Sequence, residues 1–224
     1  MVEDGVMDKN ERALQLVKEK KYEEAAALYL EMIDERPDDV LGYINLGHVF
    51  LQVNEIEKSY NLFKKALEID EDSATAHYGI GNCYFEQAKF PDARKHYEQA
   101  INQGLEDADT YFMLGMTFVH EEQSIFGIPY LLRATELNDA DEQILFQYGL
   151  ALAKVNYTDE AKEAFLRVMI LNSKHPDALY NLGVIAVYED KLDEGLAYFN
   201  RALASQPDHF LAANGKRNVE EKLK

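Results

Sequence analysis

The sequence predicts an all-α solenoid of stacked helical hairpins, and three observations carry that prediction. Gly47, Gly81, Gly115, Gly149 and Gly183 stand 34 residues apart without a slip of register. Small residues keep the same period at Ala66, Ala100, Ala134, Val168 and Ala202. Large apolar residues keep it at Tyr29, Phe63, Tyr97, Leu131, Phe165 and Phe199. A fixed period of this size marks a stacked-repeat protein, in which no unit buries its apolar face alone.

The lattice divides the chain into six contiguous units, 6–39, 40–73, 74–107, 108–141, 142–175 and 176–209, each read as helix, tight turn, helix, tight turn. Unit 1 has Arg12-Ala13 where later units have a large residue followed by glycine, which suits an end unit with one exposed side. In unit 2, Tyr43, Leu46, Gly47 and Phe50 recur at helical spacing, as do Ser59, Phe63 and Ala66. Unit 3 repeats the pattern with His77, Ile80, Gly81 and Tyr84, then Ala93, Tyr97 and Ala100. Glycine in mid-helix costs about 1 kcal/mol against alanine. Its recurrence at one slot implies a neighbour too close for a Cβ.

Unit 4 departs from the pattern. Gly127 falls in the alanine slot with Pro129 behind it, and proline is tolerated at a helix start but expensive inside. The second helix is therefore expected to begin near Gly127 or Ile128, behind an irregular, mobile turn over 121–128. That turn would offer Ile125 and Phe126 as a secondary contact. Units 5 and 6 return to the lattice. Residues 210–224 read as a C-terminal capping helix packed through Phe210, Leu211 and Val219, and residues 1–5 as a disordered N-terminus.

Composition narrows the function. The net charge of −18 makes a nucleic-acid partner unfavourable, because the counterion-release term is lost. The charge is uneven: residues 108–141 carry one Arg against six acidic side chains, whereas the last fifteen residues are net +2. This balance favours partners that are apolar to basic. No run approaches the length of a membrane span, and the start is acidic rather than basic and apolar. The lone Cys83 suits a core position in a reducing compartment, so the expected residence is cytoplasmic.

No chemistry is legible. The six histidines include no pair four apart, and there is no HExxH, CxxC or phosphate-cradling loop, so no metal, cofactor or small-molecule substrate is expected. Gly79-Ile80-Gly81 lies inside a predicted helix with no strand before it. The chain reads as a non-enzyme.

A 34-residue hairpin with these glycine, small and aromatic slots resembles the tetratricopeptide repeat over about nine-tenths of the chain. The resemblance implies a right-handed superhelix whose first helices line a concave groove. Positions 5, 9 and 12 of each first helix would share one stripe. The first ladder is Ile44, Tyr78, Phe112, Phe146 and Tyr180. The second is His48, Asn82, Met116, Leu150 and Val184, and the third Leu51, Phe85, Val119, Ala153 and Val187. Asn45, Gln147 and Asn181, together with Asn82, would offer amides to an extended peptide backbone. The clamp by which some relatives hold acidic chaperone tails is matched only at Asn45, since its basic slots hold Thr75 and Gly79. The reading is thus a scaffold or adaptor with a peptide of another protein in its groove. The alternatives are an assembly subunit working through its ends or convex face and, remotely, a chaperone-tail binder.

Overall fold

In the computed structural model, which describes residues 8–224, the described residues form thirteen α-helices and no strand. The expectation of a disordered segment at 1–5 lies outside the described residues. The first helices are α1 (Lys9–Lys18), α3 (Val40–Gln52), α5 (Ala74–Glu86), α7 (Ala108–His120), α9 (Glu142–Lys154) and α11 (Pro176–Tyr188). The second helices are α2 (Tyr22–Glu35), α4 (Ile56–Ile69), α6 (Phe90–Asn102), α8 (Ser124–Leu137), α10 (Thr158–Leu171) and α12 (Leu192–Ser205), and α13 (Phe210–Lys222) follows. This is the all-α helical-repeat class that the period predicts. None of the described helices is long and apolar enough to cross a membrane.

The periodic residues form the core. Tyr29, Phe63, Tyr97, Leu131, Phe165 and Phe199 are all buried, as are Ala66, Ala100, Ala134, Val168 and Ala202. Four of the recurring glycines, Gly47, Gly81, Gly149 and Gly183, face the rings of Phe63, Tyr97, Phe165 and Phe199. A Cβ at Gly47 would lie 2.8 Å from Phe63, and one at Gly183 would lie 2.6 Å from Phe199. The neighbour that excludes a side chain is therefore the aromatic ring of the second helix in the same hairpin.

Each hairpin turns through one residue in the left-handed region: Lys20, Asn54, Ala88, Glu122, Asn156 and Asp190, at φ 55–64°. The next backbone N–H then reaches back to the helix, as in Lys89 N–H to the Tyr84 carbonyl at 2.9 Å. This arrangement closes the C-terminus of each first helix. Several of the starts are capped by side chains at another 34-residue slot, although Ser73 in that slot makes no such bond. Asp39 accepts from the Leu41 N–H, Asp141 from Gln143 and Ile144, and the Nδ1 atoms of His175 and His209 from Ala178 and Ala212.

Two expectations are corrected. α8 starts at Ser124, in register with the other second helices, so the late start and irregular turn are absent. Gly127 is buried in its small-residue slot, and Pro129 sits as the sixth helical residue with its ring outward. Its one unmade bond concerns the carbonyl of Ile125, an exposed residue. In α13, Phe210 and Leu211 are exposed rather than packed. The His209 cap sets the phase of α13 so that Ala212, Gly215 and Val219 face α12, and a Cβ at Gly215 would lie 2.7 Å from the Phe199 ring.

Packing divides the chain within α7 into two compact units, one ending at Thr117 and the other starting at Phe118. The first has cores around Tyr29 and Phe63, and the second around Phe165 and Phe199.

Candidate functional site

In the first compact unit the predicted stripe is knitted to the second helices. Ile44 is buried, and Tyr78 lies against Tyr97 at 5.8 Å between ring centroids. His48 packs edge-on against Phe63 at 5.0 Å, and burial pushes its pKa down to about 4. Asn82 accepts the Tyr97 hydroxyl at 2.7 Å, and Asn45 donates to Asn10 at 2.9 Å. Leu51, Phe112 and Met116 are partly buried, and Phe85 packs on Phe90 at 5.4 Å. A stripe of this kind presents ring edges and methyls rather than whole side chains.

The second compact unit is more open. Phe146 lies between Phe165 and His175, at 5.7 and 4.7 Å. Tyr180 lies likewise between Phe199 and His209, at 6.0 and 5.4 Å. Val119, Gln147 and Leu150 are partly buried, and the Asn181 amide donates to the Asp177 carbonyl at 2.8 Å. Val184 is 41% exposed. It opens into a cavity of about 580 Å³ whose walls are Tyr180, Val184 and Val187 of α11 and Leu211, Asn214 and Asn218 of α13.

The α13 side of that cavity lies outside the groove expected from sequence, although its signal is present there. Extending the three ladders by one more period from Tyr180, Val184 and Val187 lands on Asn214, Asn218 and Glu221, all of which line the cavity. The capping helix thus supplies a further, polar rung. Ile125 and Phe126 are on α8, a second helix, 45% and 60% exposed, with Phe126 against Phe118 at 6.3 Å. They do not join the first-helix stripe. Among the described residues no group of three or more His, Cys, Asp or Glu could hold a metal ion.

Hairpins stacked through small and aromatic slots, with an apolar first-helix face edged by amides, define a helical-repeat interaction module. Sequence models described as TPR repeat and tetratricopeptide repeat match residues 47–88, 74–103 and 146–210. The crystal structure of YrrB, described as a TPR protein with an unusual peptide-binding site, is 38% identical, with a TM-score of 0.77 over 84% of this chain and 97% of that one. The chain belongs to the tetratricopeptide-repeat family.

More distant likenesses agree on the fold. PilF of Pseudomonas aeruginosa is 15% identical, with a TM-score of 0.80 over 96% of both chains. Tetratricopeptide repeat protein 8 of Caenorhabditis elegans is 21% identical over 73% of this chain. The chain spans a third of that protein's length and 17–43% of the curated relatives that follow it. Proteins of this family generally mediate protein–protein interactions.

Proposed function

We propose that the chain is a non-catalytic adaptor, cytoplasmic in residence, that holds a peptide segment of a partner protein on its first-helix face. The observation that carries this reading is the cavity between α11 and α13. It has room for a large apolar side chain, with Tyr180, Val184 and Leu211 as its walls, and its lining includes Asn218 and Asn214, whose Oδ1 accepts from Arg217 at 2.6 Å while its amide N–H groups could serve a peptide backbone. The peptide-binding site described for YrrB supports the same use of the fold. A net charge of −18 favours a segment with basic flanks.

Selection of binders from a random peptide library on the full chain tests this. The enriched sequences are expected to share an apolar anchor beside Lys or Arg and to bind more weakly as salt rises, because exposed charges are screened beyond about 10 Å at 0.1 M. Enrichment of acidic sequences, or affinity that is flat with salt, would contradict the charge part of the reading. A second reading, an assembly subunit using the outer face, is favoured by Leu132, Leu166 and Ile170. These lie exposed on α8 and α10, Ile170 at 82%.

A further inference from the structure

Two slots of the repeat, one on each helix of a hairpin, hold pairs such as Tyr43/Leu62, Tyr111/Tyr130 and Leu179/Tyr198. In the third unit alone both slots are histidine, His77 on α5 and His96 on α6. Their Nδ1 atoms stand 3.0 Å apart, with ring centroids 5.2 Å apart and planes inclined by 36°. Tyr84 lies against His96 at 5.6 Å. Both rings are partly buried, and burial favours their neutral, ligand-competent form, with the His96 pKa down to about 4. Packing alone does not call for two imidazoles here, since the other units fill these slots without a second histidine.

The separation is closer to one coordination geometry than to another. Two metal–nitrogen bonds of about 2.0–2.1 Å meeting at a right angle place their nitrogens about 2.9 Å apart, whereas a tetrahedral angle places them about 3.4 Å apart. The observed 3.0 Å is an ordinary N–H···N hydrogen bond in the metal-free pair, and it lies close to the spacing of adjacent corners of a tetragonal site. We propose that His77 and His96 form a two-imidazole binding site for a divalent ion of tetragonal preference, Cu2+ or Ni2+, with water in the remaining positions. In the metal-free pair one Nδ1 carries the shared proton. On binding, that ring takes up its proton at Nε2 instead, so both rings stay neutral.

The test is a titration of the full chain with Cu2+ alone near neutral pH, followed by electron paramagnetic resonance. One equivalent is expected, with hyperfine structure from two nitrogens. The double variant His77→Leu/His96→Leu, which restores an apolar pair, is expected to bind at least tenfold more weakly with an unchanged helical spectrum. Unchanged affinity in a natively folded variant would overturn the site. Should that variant fail to fold, the wild-type chain decides the matter. Substoichiometric Cu2+ is expected to broaden the ring-proton resonances of His77 and His96 before those of His48, His120, His175 and His209, and broadening that is uniform or begins elsewhere would overturn the proposal.

Discussion

Ala88 holds a left-handed backbone at φ 55° with a Cβ, where a glycine would be at ease. Such a conformation costs an L-residue about 1–2 kcal/mol, partly offset by the entropy a glycine would lose on folding. Ala88→Gly is therefore expected to stabilise the protein by about 0.5–1 kcal/mol, read from the urea midpoint. None of the six turn positions could be read from the sequence. Their residues, Lys, Asn, Ala, Glu, Asn and Asp, share a backbone conformation and no side-chain chemistry.

His48 supplies a second test at this scale. Its folded pKa, about 4, lies below the ordinary imidazole value, so the unfolded chain binds the proton more readily. The stability it contributes is complete above about pH 6.5 and is lost as pH falls toward 4. His48→Gln is expected to flatten the decline in the denaturation midpoint between pH 7 and 4.5. An equal decline in both proteins would show that His48 does not carry it.

Among the elements, α8 shows where a local rule yields to packing. Gly127 and Pro129 argue against a helix there, yet Leu131 and Ala134 must reach the core in register with their counterparts in other units, and that phase fixes the start at Ser124. The cost should remain measurable. Pro129→Ala restores a donor for the Ile125 carbonyl and is expected to raise stability by about 1–3 kcal/mol in thermal unfolding. No gain would mean that the proline ring makes a contact of similar worth. The start of α13 is held by His209, whose Nδ1 accepts from the Ala212 N–H at 3.1 Å while Nε2 donates to Asp177 at 3.2 Å. His209→Ala is expected to cost about 1–2 kcal/mol and to loosen α13 in hydrogen exchange. Loss of protection confined to other helices would contradict that assignment.

For the whole molecule, the period alone located twelve helices and their buried ladders, because identical slots face identical neighbours. The first-helix stripe was legible as a set of positions. Its depth was not, since the burial of Ile44 and the contacts that half-cover Tyr78, Phe146 and Tyr180 depend on how closely facing helices approach. The cavity beside α13 is not legible from ladders of six units, because Asn214 and Asn218 of its polar wall stand one rung beyond them. The central claim, that a partner peptide lies on the first-helix face, is tested most directly by the affinity of one library-selected peptide for three proteins: wild type, Val184→Asp in the cavity wall, and Ile170→Asp on the outer face. Both altered side chains are exposed, so both variants are expected to fold. The account predicts at least tenfold weaker binding, about 1.4 kcal/mol, for Val184→Asp and a change within about twofold for Ile170→Asp. Weakening by Ile170→Asp with Val184→Asp unchanged would contradict it and place the interaction on the second helices.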